Sequence, residues 1–227
     1  MRTPTIILLL FFFLTFENVV GQDLEFELLL RPALTSLRGN ETVKEATDLT
    51  LYPSAGVGMS YLFHNKSLLN VAILYDKKGA RGNREVSMRD VNNEITGVET
   101  VTNVVDYDYI TIPIQWGQRF GKKIQYQLAA GFYSAFLLKQ EIGITGLSYM
   151  PDTKEDQTDS YKKVDVGVAA SFSAYIPMSD RFALKLGIDD NLGVFDTFAS
   201  GVKHQGTSKH NSIGLAIGLK YALLNHE

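Results

Sequence analysis

The stretch ITIPIQWGQRFGKK, Ile110 to Lys123, alternates with a period of two and stops at a Gly-Lys-Lys turn. Its apolar row is Ile110, Ile112, Ile114 and Trp116, and Thr111, Gln115, Gly117 and Arg119 occupy the opposite face. Period-two alternation marks a β-strand with two unlike faces. Whether the apolar row meets a protein core or a lipid decides the fold. Pro113 sits in its middle without an N–H to donate, so a bulge or local loosening beside it is expected, pointing inward.

Outward from this stretch, eight segments alternate in the same way. They run over 24–36, 51–63, 67–77, 107–120, 124–140, 161–176, 182–195 and 210–223. Most exceed the usual length of a soluble strand and match the ~9–11 tilted residues of a bilayer crossing. HNKS, GKK and PMSD are short links, whereas 37–50, 78–106, 141–160 and 196–209 are long. Short turns on one side and long loops on the other fit an outer-membrane barrel. An even strand number leaves both chain ends on the short-turn side.

Face composition separates a membrane barrel from a soluble, lipocalin-like one. The last segment sets Ile213, Leu215, Ile217, Leu219, Tyr221 and Leu223 against Ser212, Gly214, Ala216, Gly218, Lys220 and Ala222. A soluble β-fold would stud its second face with charged and polar groups. Glycine, alanine and serine instead suit the narrow lumen of a small barrel, which leaves the apolar face to lipid. The expected fold is therefore all-β, an eight-stranded antiparallel up-and-down transmembrane barrel. Tyr61, Phe63, Phe120, Tyr126, Phe182 and Tyr221 are expected at the periplasmic rim, and Tyr75, Tyr109 and Phe136 at the outer rim.

The N-terminus reads as a secretory signal peptide. Arg2 precedes nine apolar residues, Ile6 to Leu14, and Val19 and Gly21 are small residues suited to cleavage before Gln22. That run is too short to span a bilayer as a helix. Residues 1–21 are assigned to the signal and 22–227 to the barrel domain. With no cysteine in the chain, thiol chemistry, a disulfide framework and a lipoprotein anchor are excluded. A formal net charge of −3 gives no basic excess for nucleic acid.

Three stretches resemble the small outer-membrane β-barrel family of Bacteroidota, the PorT-like or porin-family proteins. They are VAILYDKKGAR (71–81), YITIPIQWGQRFGKK (109–123) and YQLAAGFYSAFLLKQE (126–141). The resemblance implies fold and outer-membrane location, and it carries no catalytic residues. The chain departs from the usual pattern in continuing past its last aromatic as ALLNHE.

If the polar face lines the lumen, it carries Glu25, Glu27, Arg31, Arg119, Lys139, Lys163, Asp165, Lys185, Asp189 and Lys220. Charges in a low-dielectric interior must pair. Barrel closure is expected to bring Glu25 or Glu27 to Lys220, and neighbouring strands to bring Lys139 toward Asp165. These pairs would plug the barrel; a narrow channel or small-ligand site is the alternative. The loop PDTKEDQTDS, with Asp152, Glu155, Asp156 and Asp159, fits no calcium-loop spacing and reads as solvated. Ser208, His204 and His210 could form a lipid-modifying site at the outer rim, but no nucleophile signature surrounds them. His64 and His226 fall on the periplasmic side. No cofactor or metal is expected. The expected partners are outer-membrane lipid, the barrel-insertion machinery and an unspecified extracellular or periplasmic protein, with the barrel itself a monomer. No catalytic activity is expected, and the external loops are the expected contact surface.

Overall fold

The computed structural model describes residues 24–39, 48–148, 151–199 and 207–223. The signal segment, its cleavage site, His204 and His226 lie outside the described residues.

Among the described residues, eleven strands form one antiparallel sheet. They are β1 (Leu24–Leu30), β2 (Ala33–Gly39), β3 (Thr50–Tyr52), β4 (Ser54–Leu62), β5 (Ser67–Arg89), β6 (Ile95–Gly121), β7 (Gln125–Thr145), β8 (Thr153–Asp156), β9 (Val164–Pro177), β10 (Phe182–Gly193) and β11 (Ser208–Ala222). The pairing order β1-β4-β5-β6-β7-β9-β10-β11 closes on itself through β1–β11, giving a ring of eight. The first two expected strands are each split by a proline. Arg31 and Ser54 exchange backbone hydrogen bonds at 2.8 and 3.0 Å, so the next residues, Pro32 and Pro53, stand opposite each other. Proline cannot donate to a ladder, and β2 and β3 resume beyond the paired breaks.

Register gives the barrel's dimensions. Hydrogen-bonded neighbours lead from Phe182 through Tyr221, Phe26, Met59, Val71, Ile114, Phe132 and Val168 back to β10 at Leu192. The shear is thus ten residues, the offset from Phe182 to Leu192. With ~3.3 Å per residue and ~4.8 Å between strands, eight strands of this shear tilt by about 41°. Every residue on that circuit is apolar and outward-facing in phase. The outer wall exposes Leu28, Ile73, Ile114, Trp116, Leu128, Phe132 and Ile213. Unfavourable in water, such a wall is the lipid-facing band of a barrel whose closed ladder satisfies its backbone.

The aromatic belt is present on the short-turn side. Tyr61 meets Phe63, Phe63 meets Trp116, Phe120 meets Tyr126 and Phe182 meets Tyr221, with ring centroids 4.8–5.7 Å apart. Tyr75 and Phe136 face outward at the far rim, but Tyr109 does not: it is fully buried. In β6 the odd residues point inward, so Tyr109 shares a face with Thr111 and Arg119.

Pro113 is inward-facing and buried. The β5–β6 ladder pairs Val71 with Ile114 and Leu74 with Thr111 and skips the two positions between, with no change of register. This is a loosening without a bulge. The bulge lies higher: Asp108 pairs with Lys139 and Tyr109 with Leu137, leaving Leu138 without an opposite. On the β7 side the walls come close, since a Cβ on Gly131 would lie 2.1 Å from the Ile114 carbonyl oxygen. Only glycine fits there.

The largest difference from expectation is outside the ring. The segment expected as a loop over 78–106 is mostly strand, and the one over 141–160 holds the end of β7 and all of β8. β5 and β6 continue together to a turn at Asp90–Glu94, where the Asp90 carboxylate accepts from the Asn92 and Glu94 amides at 2.9 Å. β7 follows to Thr145, and β8 adds a fourth strand against Glu141–Ile144. In water both faces of a sheet can be polar, which erases the alternation that betrays a half-buried strand.

Candidate functional site

The lumen contains two charged networks. The lower one, toward the short turns, centres on Tyr175. The Glu25 carboxylate takes Arg119 Nη1 and Lys220 Nζ, both at 2.7 Å. Glu27 takes Lys185 Nζ and the Tyr175 hydroxyl, also at 2.7 Å. The second Arg119 nitrogen donates to Gln127 at 2.8 Å. Arg119 and Lys220 lie 4.9 and 4.7 Å from the Tyr175 ring centroid, within cation–π range. β1 supplies both carboxylates because its odd residues face inward.

The upper network is built round Asp76. Ser54 and Thr111 donate to its carboxylate, Thr111 at 3.0 Å, and Lys78 and Arg31 approach it at 3.4 and 3.6 Å. Arg31 also donates to Asp189 through Nε and to Ser212 Oγ at 3.0 Å. Gly214 makes room for it, since a Cβ there would lie 2.5 Å from the guanidinium. Asp165 accepts from the Tyr133 hydroxyl at 3.1 Å, and Lys78 Nζ lies 4.6 Å from the Tyr133 ring.

Two expected lumen residues lie elsewhere. Lys139 is exposed and pairs with Glu141 at 2.8 Å, so it does not approach Asp165. The Leu138 bulge shifts β7 by one residue, which turns Lys139 outward and Gln140 inward. Lys163 precedes the first residue of β9 and pairs with Asp159 at 3.0 Å in solvent. Asp76 and Lys78 were missed, although the outward run Leu69, Val71, Ile73, Tyr75 already places them on the inner face. Ending that strand at 77 leaves out Lys78, whereas Asp76 lies inside it. With these changes, Glu25, Glu27, Asp76, Asp165 and Asp189 face Arg31, Lys78, Arg119, Lys185 and Lys220 in the lumen, acids and bases matching one for one.

Between the networks lies a cavity of about 50 Å³, lined by apolar Leu29, Ala72, Leu74 and Pro113 and by polar Asn70, Gln115 and Ser171. It has room for ordered water and little more. Above the upper network the bore is filled by rings. Tyr107 packs against Tyr109, Tyr161 and His210 at 6.1, 5.3 and 4.6 Å, and Tyr161 against Phe198 at 5.1 Å. His210 is 1% exposed, its Nε2 lies 3.2 Å from the Tyr109 hydroxyl, and Ser208 is also buried.

Above the membrane, Asp106 ties the outer sheet together. It accepts from the Tyr52 hydroxyl and from Lys154 Nζ at 3.0 Å, with Lys77 Nζ at 3.8 Å. Burial alone would raise its pKa; the Tyr52 and Lys154 hydrogen bonds and the Lys77 charge outweigh it and hold the carboxyl below its ordinary range. Among the described residues, no group of three or more His, Cys, Asp or Glu side chains could hold a metal ion.

A closed eight-strand ring with an apolar outer wall and a packed polar lumen defines a bilayer-spanning β-barrel. Residues 21–199 match the model of the outer membrane protein beta-barrel domain family, and the chain belongs to that family. Its location is accordingly the outer membrane. No curated protein matches the chain. Among solved structures it is similar to Neisserial surface protein A, at 10% identity over 87% of this chain and 97% of that one, with a TM-score of 0.41. It is similar to Ail of Yersinia pestis, at 9% identity over 90% and 100%, with a TM-score of 0.42. A third is the outer membrane protease OmpT of Escherichia coli, at 9% identity over 90% and 98%, with a TM-score of 0.40. At these scores none of the three carries an argument about activity.

Proposed function

We propose that the protein is a sealed outer-membrane anchor of the PorT-like, Bacteroidota type, whose working surface is the sheet that β5, β6, β7 and β8 raise above the membrane. Its ring sits in outer-membrane lipid, reaches it through the barrel-insertion machinery, and catalyses no reaction. The observation that carries this reading is the filled bore: two charged networks with a cavity of about 50 Å³ between them, and rings above. Eight strands enclose room only for side chains or one small ligand, and here side chains take that room. The burial of Ser208 and His210 supports the absence of catalysis, because neither is open to a lipid substrate. Planar-bilayer recording tests the reading. Purified protein inserted into the bilayer should add no steady conductance; a stable open channel would overturn it.

A further inference from the structure

A carboxylate stands on the lipid-facing wall. On β10, Asp189 turns into the lumen to Arg31, so Asp190 turns outward, between Ile188 and Leu192. Its cross-strand neighbours, Ala170 on β9 and Ile213 on β11, are exposed on the same wall. Depth follows from the register. At a tilt of about 41°, each residue climbs about 2.5 Å. Asp190 is eight residues up β10 from Phe182, in the short-turn aromatic belt, and so lies about 20 Å above that belt. The apolar band of a barrel is about 25 Å tall, which puts Asp190 inside it. Among the described residues it is the one charged group that faces outward within the band. Its Oδ1 has no hydrogen-bond partner. An ionisable group set in a membrane marks a functional contact, because lipid chains offer it nothing to bond.

The wall around Asp190 complements itself. With ~3 Å of climb and about 3.6 Å of lateral shift per strand, three side chains fall near one vertical line: Asn211 about 8 Å above Asp190, and Phe172 about 8 Å below it. Ala170 and Ile188 flank that line on opposite sides, each about 4 Å away and within ~2 Å of the same height. The outer membrane holds every copy upright. Two copies face to face are then related by a twofold axis along the membrane normal, and a residue on the axis meets itself at equal depth. On this line Asp190 meets Asp190, Asn211 meets Asn211 and Phe172 meets Phe172, while Ile188 of each copy sits over Ala170 of the other. Apolar burial drives nothing between proteins in lipid; small residues that allow close approach and polar groups bonded across the contact do. Two carboxyl groups suit one another there, since each, holding its proton, donates to the carbonyl oxygen of the other. An anionic lipid finds no cation among these residues, whereas a second copy brings the matching group to this depth by symmetry.

We propose that two copies of this chain pair within the membrane about Asp190, through the outer faces of β9 and β10. The contact lies on the barrel wall and goes beyond the role of the outer sheet. Because the chain has no cysteine, an engineered thiol reports contact without background. Asn211→Cys, on the axis near the upper edge of the band, should oxidise in whole cells to a disulfide dimer. Lys77→Cys, at similar height on β5 across the ring, should not. Within the Asn211→Cys chain, Asp190→Leu should cut the dimer about tenfold. Asp190→Asn should keep it, because an amide also donates and accepts. Chains with Asp190→Lys should not pair with each other, yet should cross-link to a differently tagged chain that retains Asp190. Heat-modifiable gel mobility verifies that each variant is folded. No dimer from folded Asn211→Cys chains would overturn the proposal, as would cross-linking only to a different protein or an equal dimer from Lys77→Cys. So would a dimer indifferent to Asp190→Leu, or mixed pairing no better than that of Asp190→Lys chains with themselves. A silent planar bilayer beside any of these outcomes would leave the sealed-anchor reading standing, so the two fail separately.

Discussion

β5, β6 and β7 each pass through two environments, and their side chains obey different rules in each. Within the ring, every strand has two neighbours and the buried charges gather into networks, as Glu25 does with Arg119 and Lys220 and Asp76 with Arg31 and Lys78. Above it, the same strands carry on, and single surface pairs such as Lys139–Glu141 and Lys163–Asp159 replace the networks. In the lumen, water cannot compensate a missing partner, so pairing is enforced. On the outer sheet it can, so charge there is free to serve contact.

Changes within the lumen should show this contrast most strongly. Glu27→Ala strands Lys185 and the Tyr175 hydroxyl, and breaking such a buried pair costs about 3–5 kcal/mol. Urea unfolding in lipid, followed by gel mobility, should show that loss. Glu27→Lys with Lys185→Glu should recover a good part of it, whereas Glu27→Lys with Lys220→Glu should not, since Lys220 is held by Glu25. If both double variants recover alike, the network drawn here is wrong. Asp76→Asn keeps the shape but leaves Arg31 and Lys78 with less counter-charge, so a smaller loss of about 2–3 kcal/mol is expected in the same assay.

Above the membrane, Asp106→Asn should free β8 from β6 and speed protease cutting near Thr153–Asp156 in intact cells. The unfolding midpoint of the barrel should hardly move. Acid should mimic the change with a definite sign. The depressed Asp106 pKa stabilises the outer sheet fully above the ordinary carboxylate value of about 4. That stabilisation is lost as pH falls through the lowered value. Protection of β8 that persists unchanged at low pH would remove Asp106 as the tie. At the smallest end, Lys139→Ala and Lys163→Ala should leave unfolding within about 0.5 kcal/mol of the parent. A large loss from either would place that lysine in the lumen after all.

Legibility followed solvent. Where one face met lipid and the other the lumen, alternation exposed the strand, its facing and much of its aromatic rim, as in Phe120, Tyr126 and Phe182, with Tyr109 the exception. It also held the signal for Asp76 and Lys78, which simple continuation of the Leu69–Tyr75 row would have found. Where both faces meet water, as in Arg84–Met88 and Thr96–Thr102, polar residues fall on each face and the period disappears. The β-branched content of ETVTNVV was the remaining cue. A single extra residue, Leu138, was illegible too, because an insertion that reverses facing is visible only against the opposite strand.

The sequence by itself determined an eight-stave barrel with an apolar exterior and a charged, small-residue lumen, because period two and composition act locally along each strand. Which charge meets which was decided only in the tertiary structure. Glu27 and Lys185 lie 158 residues apart, and shear and tilt bring them together across the bore. Register, not proximity in the chain, chose the partners, because in a closed barrel one residue of offset turns a side chain from lumen to lipid.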